Sequence, residues 1–338
     1  MSKRQFLKGV FFLLLAAAAL YGCSVIAFRN LRVLNNHETF YDWEPDTIDV
    51  IFIGGSMSYT AFSPIELYEK HGISSYNLGT SNQSMLAGYI WALEAAEHHS
   101  YKAIVAEAMA VPMSHGDIAT DIRSLYSMGI NHNYLRLAGV YKRNFYKVVF
   151  PVFVLHDGWE INELTFKSEI DENRRYLRGF VPLASEAGEK YQNPLVTGDE
   201  TATAYLKFPY LDKLREYCDE KGIKLILVKS LMASNELNRW DDGYHNRLQE
   251  YADQYNIPFI DFNTREYIEA AGLNISTDVA ADLRHMNLSG AEKATDFIGK
   301  YLLQMDNIGI RQYENSGIGS DVIERYHRII EETLNSAE

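Results

Sequence analysis

The chain is short of cysteine and of positive charge, and each shortage narrows what it can be. Two cysteines, Cys23 and Cys218, stand in 338 residues, and Cys23 lies inside an apolar run. A disulfide framework and a cysteine-built metal cluster are excluded. Lys and Arg total 32 against 45 Asp and Glu, a net charge of −13. The chain as a whole repels a polyanion, so no nucleic acid partner is expected. No Gly-Lys-Ser/Thr follows the Gly54-Gly55 pair, which excludes a phosphate loop. His98, His99, His115, His132, His156 and His245 fall at no ligand spacing, so no metal is expected. No internal repeat and no low-complexity segment is present. What is plentiful is core material: 47% of residues are apolar and 13% aromatic, enough for one large core or two ordinary ones.

Charge is missing altogether from residues 9–28. A helix of that length, rising about 1.5 Å per residue, spans a hydrocarbon core of roughly 30 Å. Lys3, Arg4 and Lys8 precede the run; Arg29 and Arg32 follow it and are soon joined by Glu38, Asp42, Glu44 and Asp46. The basic N-terminal flank favours a cytoplasmic N-terminus. The expectation is a single-pass anchor over residues 1–30 in the cell membrane, with the body extracytoplasmic. A cleaved signal peptide is the rival, since the alanines at 16–19 are small enough for cleavage, although apolarity continues through Val25, Ile26 and Phe28. Leu20-Tyr21-Gly22-Cys23 also resembles a lipobox, with a bulky Tyr21 where that pattern takes a small or branched residue.

Residues 49–54 form a short, nearly continuous apolar run rich in β-branched side chains, the pattern of a strand covered on both faces. Runs at 74–78, 103–107, 224–229 and 258–261 read the same way. Helical patterns lie between them at 64–71, 85–98, 204–221 and 240–255, and another starts after Met286. The alternation predicts an α/β fold: a flavodoxin-like three-layer sandwich on a parallel sheet of about five strands. Residues 108–223 form a large insertion after the third strand, placed to shape substrate entry. The main domain is expected over residues 31–305. Residues 306–338 read as a helical tail, acidic and peripheral.

At the end of the first strand, Ile53-Gly54-Gly55-Ser56-Met57-Ser58 puts a hydroxyl on a sharp strand-to-helix turn beside backbone N–H groups. Taken alone, Ser56 also reads as an ordinary helix cap. Far downstream, Asp282-Leu283-Arg284-His285 sets a carboxylate three positions before an imidazole, a spacing that lets the Asp hold the His tautomer. Together, in this order, the two features resemble the SGNH (GDSL-type) hydrolase family over about residues 47–305. Gly54-Gly55-Ser56-Met57-Ser58 is similar to its first block, with Gly55 where the namesake members have Asp. Asn77-Leu78-Gly79-Thr80-Ser81-Asn82-Gln83-Ser84 is similar to the second, and Asp282, His285, Asn287, Ser289 and Gly290 to the fifth. The third block departs, because 103–109 carries no Asn. Asn82 or Gln83 is the substitute the sequence offers. With an N-terminal anchor, the pattern most resembles the branch holding DltD-type and alginate-acetylation-type proteins.

The resemblance implies an ester hydrolase or O-acyltransferase with Ser56, His285 and Asp282 as catalytic triad. Ser56, Gly79 and Asn82 would supply the oxyanion donors. The implied substrate is an acyl ester or cell-envelope glycan, no cofactor is required, and a transferase would draw on a membrane-bound acyl-donor protein. His156 and Trp159 are placed to line the entrance, or to pack within the insertion. Glu107 ends the third strand and is expected to orient a loop rather than do chemistry. The alternative function is a catalytically silent, membrane-anchored glycan-binding or assembly protein on the same scaffold.

Overall fold

Each of the five apolar runs forms a strand: β1 Val50–Ile53, β2 Ser75–Asn77, β3 Ala103–Glu107, β4 Lys224–Lys229 and β5 Phe259–Asp261. They lie in the order β2-β1-β3-β4-β5, and every neighbouring pair is parallel. The computed structural model describes residues 2–29, 37, 39–112, 115–155, 173–188, 196, 206–233, 238–305 and 309–336.

Strand periodicity divides the sheet's side chains between two helical layers. Val50, Phe52, Val105, Ile226, Val228 and Ile260 join Leu67 of the helix Pro64–His71 and Ala294, Ile298 and Leu302 of the helix Leu288–Leu303 in one core. The alternate residues Ile51, Ile53, Ile104, Ala106 and Leu227 are buried on the opposite face. There Ile53 meets Gly88 of the helix Met85–His98. The helices start where the sequence supplies caps. Ser63, Ser84 and Asn287 accept from the N–H groups of Glu66, Ala87 and Gly290, respectively, which satisfies donors the first helical turn leaves orphaned. The α/β class and the five-stranded parallel sheet expected from the sequence are therefore present.

β1 lies between β2 and β3, so the chain leaves it in one direction and returns on its other side. Such a reversal opens a crevice at the carboxyl ends of the strands, and Ser56 stands at its edge.

The chain forms two compact units, Met1–Leu34 with Gly116–Ile170, and Asn35–His115 with Asp171–Glu338. The first holds the helix Lys3–Arg29, of mean hydropathy 2.2 over Lys3–Ile26. It is long and apolar enough to cross a membrane, as a signal sequence also is. With it fold short helices at Ile118–Leu125, Arg136–Val140 and Phe145–Val149. Ile122, Leu125, Tyr134, Leu137, Val148 and Leu155 are buried in this unit. The second unit holds the sheet, together with residues 173–188 and 206–223, so the expected insertion is shared between units.

The tail differs from its expected peripheral position. Its helix, Ser320–Asn335, buries Val322, Tyr326 and Ile329, and the Tyr326 hydroxyl lies 2.9 Å from both Ser63 Oγ and Glu66 Oε1. One face of an acidic amphipathic helix is enough to dock it.

Candidate active site

Ser56 opens the helix Ser56–Ala61 directly after β1. The turn before it requires Gly54, whose φ is +144° and whose Cα faces β3 so closely that a Cβ would lie 2.5 Å from Glu107 Cβ. Gln83 fastens this turn from the side. Its Oε1 accepts from Gly54 N–H at 2.8 Å and its Nε2 donates to Leu78 C=O at 2.7 Å. Asn77, at the end of β2, holds the helix itself by donating from Nδ2 to the carbonyls of Ser58 and Phe62 at 2.9 and 3.2 Å.

His285 arrives on a tight loop. Val279 and Met286 pair as an antiparallel bridge, Leu283 N–H donates to Ala280 C=O, and Ala233 N–H after β4 donates to Leu283 C=O. Leu283 adopts a φ of +64° to complete the bend. Asp282 then serves two purposes. Its Oδ1 accepts from the backbone N–H groups of Arg284 and His285 at 2.9 and 3.1 Å, while Oδ2 lies 2.5 Å from His285 Nδ1. The other ring nitrogen, Nε2, lies 2.7 Å from Ser56 Oγ. Partial burial works to raise the Asp282 carboxyl, but the imidazole and the two backbone donors outweigh it and hold the group below the usual carboxylate range. It remains an anion that fixes the ring's orientation.

Asn287, Ser289 and Gly290 secure that loop. Asn287 Nδ2 donates to the carbonyls of Thr277 and Ser185, Ser289 Oγ donates to Asp278 Oδ1, and Gly290 lies against the Asp278 carbonyl, where a Cβ would clash. Among the described residues of 108–223, 181–188 border the site. Val181 N–H donates to Tyr59 C=O, Leu288 N–H to Leu183 C=O, and Ala187 N–H to Val279 C=O.

The expected oxyanion donors are not arranged alike. The Gly79 N–H donates to Asn77 Oδ1 at 3.1 Å within the turn. Gln83 is excluded as a substitute, since its buried amide is consumed by backbone groups. Asn82 is exposed, at the third position of the turn closed by Gln83 N–H to Thr80 C=O, with a φ of +54°. Asn tolerates that conformation better than most residues. His156 and Trp159 lie outside the described residues. Tyr59 was not singled out by its sequence context. It sits one helical turn after Ser56, and its hydroxyl lies 3.0 Å from Ser81 Oγ. Burial raises its phenol above the ordinary range, against hydrogen bonds with Ser81 and Ser56.

Glu107 lies fully buried at the end of β3, where its carboxylate oxygens accept from Met109 N–H at 3.1 Å and Ser230 N–H at 3.5 Å. Burial pushes it up to about 8 from an ordinary 4.5, against those two donors and Lys229. The folded state thus keeps a proton that the unfolded chain releases. Its contribution to stability is complete below pH 4.5 and is lost as pH rises through 8. Chemical denaturation across this window should show a decline that Glu107→Gln flattens; an equally steep decline in the variant would contradict the assignment.

No family model and no curated protein matches this chain. Among solved structures it is similar to a protein assigned as an acylhydrolase from Bacteroides fragilis, with 13% identity over 82% of this chain and 97% of that one and a TM-score of 0.36. It is also similar to a GDSL-like lipase from Bacteroides thetaiotaomicron, with 11% identity over 80% and 98% of the two chains and a TM-score of 0.36.

Proposed function

We propose that this protein is a serine-dependent ester hydrolase or O-acyltransferase of the SGNH type, held at the cell membrane and acting on acyl groups of a cell-envelope glycan or similar small ester. The observation that carries the reading is the unbroken line Ser56 Oγ, His285 Nε2, His285 Nδ1, Asp282 Oδ2, with contacts of 2.7 and 2.5 Å. Ser56 Oγ attacks the ester carbonyl and passes its proton to His285. The tetrahedral centre collapses, His285 returns that proton to the leaving alcohol, and an acyl-Ser56 remains. Water activated by His285 then releases a carboxylic acid, whereas an acceptor hydroxyl activated the same way carries off the acyl group as a new ester. In the transferase case a membrane-bound protein supplies the acyl group.

Ser56 N–H, on the first residue of its helix, is the first oxyanion donor in this reading, and the Asn82 amide is the second. Asn82→Gly keeps a residue suited to the positive φ while removing the amide. It should lower kcat and kcat/KM of aryl acetate hydrolysis together, by about 10²-fold. A change confined to KM would reduce Asn82 to a substrate contact.

A second reading, a silent glycan-binding or assembly scaffold, is favoured by the absence of Asn after β3 and by the engagement of the Gly79 N–H. Turnover decides between them. Purified protein given p-nitrophenyl acetate should release a burst of nitrophenolate equal to the enzyme present, followed by a slower steady rate set by the acceptor. Neither burst nor steady turnover, alongside retained glycan binding, would establish the silent scaffold.

A further inference from the structure

The strongest feature outside the site lies in the unit that contains the N-terminal helix. Residues 135–155 carry four cations, Arg136, Lys142, Arg143 and Lys147, and no Asp or Glu, within a chain of net charge −13. Three of their aromatic side chains are exposed: Phe145 is 55% exposed, Tyr146 41% and Phe153 44%. These rings adjoin one another, with centroids 6.5 Å apart for Phe145 and Tyr146 and 5.7 Å apart for Tyr146 and Phe153. A soluble surface seldom exposes such a cluster without a partner. Aromatic rings among Lys and Arg are the composition of a segment that lies in a membrane interface.

The segment also sits at a suitable level on the apolar helix. Val152 N–H donates to Ser24 Oγ at 3.4 Å, and Ser24 is buried on a helix that is otherwise largely exposed. Ser24 stands four residues before Phe28, the end of the uncharged run, a distance of about 6 Å along the helix axis. Contact at that depth belongs to the headgroup boundary and not to the hydrocarbon centre.

We propose that residues 135–153 form an interfacial platform that lies on an anionic phospholipid leaflet, with Phe145, Tyr146 and Phe153 inserted and Lys142, Arg143 and Lys147 against the phosphates. The platform rests on the anchor reading of the N-terminal helix. It is independent of any chemistry at Ser56. Its occupant is the leaflet in which the helix is embedded, because the segment's charge is opposite to that of the rest of the chain and complementary to anionic headgroups.

The test uses the full chain, with Cys23 and Cys218 replaced by Ala and a single spin label at Tyr146→Cys or Phe153→Cys. The protein is reconstituted into nanodiscs of phosphatidylcholine with or without phosphatidylglycerol. A label at Lys221→Cys, on the exposed end of the helix Pro209–Lys221 in the other unit, is the aqueous reference. Labels at 146 and 153 should be several-fold more accessible to oxygen than to a water-soluble nickel chelate, and the label at 221 the reverse. Lys142→Gln, Arg143→Gln and Lys147→Gln together should move the two labels toward water in the anionic discs. Labels at 146 and 153 as open to nickel as that at 221, in protein that resists carbonate extraction, would overturn the platform and leave the anchor standing. Release by carbonate would overturn both. Equal depth in the two lipid mixtures would overturn the anionic preference. A far-ultraviolet spectrum and melting temperature close to wild type check that each labelled variant is folded, and the absence of p-nitrophenyl acetate turnover in unlabelled wild type would count against the esterase reading alone.

Discussion

Ser56→Ala or His285→Ala should lower turnover of an aryl acetate by at least about 10³-fold while leaving the far-ultraviolet spectrum and melting temperature close to wild type. The expectation follows from the line of contacts at 2.7 and 2.5 Å through His285. Removing the hydroxyl removes the nucleophile, and removing the imidazole leaves an alcohol with no base at neutral pH. Because the groups act as one unit, the double variant should be hardly worse than either single one. Asp282→Asn should cost a comparable factor, because an amide in place of Oδ2 offers a donor to Nδ1 and selects the wrong tautomer. The remaining side-chain oxygen of that variant would still accept from the backbone N–H groups, so the loop should persist. Activity near wild type in Ser56→Ala or His285→Ala would remove the triad.

Gly54→Ala should be strongly damaging, and it strikes the turn that carries Ser56. A φ of +144° lies outside the region available to L-residues, and the added Cβ would lie 2.5 Å from Glu107 Cβ, on a strand that cannot withdraw. Backbone strain and overpacking each typically cost about 1–3 kcal/mol. The variant should show a clear fall in denaturation midpoint. It should also lose turnover under conditions where it remains folded, because relief of the clash moves the turn that aims Ser56. Stability and activity both equal to wild type would show that the turn is looser than this packing implies.

The fold was legible because parallel strands buried on both faces are unbroken apolar runs. No polar residue within 50–53 or 103–106 obscured the pattern. Ser56, Asp282 and His285 were legible for a different reason: each stands at a local punctuation, a Gly-Gly turn or an Asp-x-x-His loop. The clamps were not. Asn77 and Gln83 are generic amides in sequence, and their partners Ser58, Phe62 and Gly54 lie 15 to 29 positions away. Only the pairing of β1 with β2 brings them together. The contact of the Gly79 N–H with Asn77 Oδ1, two residues earlier, was equally hidden in the motif. Residues 116–155 resisted reading because two of their α-helices last only five residues, too few turns for a 3.6-residue pattern to emerge.

The central claim is that Ser56 is an activated nucleophile, and labelling by a fluorophosphonate tests it most directly. The folded full-length protein should take up one equivalent, the adduct should map by peptide mass spectrometry to Ser56, and Ser56→Ala and His285→Ala should abolish it. Stable, folded protein that takes up no label, or that takes it at another serine while Ser56 stays unmodified, would contradict the account.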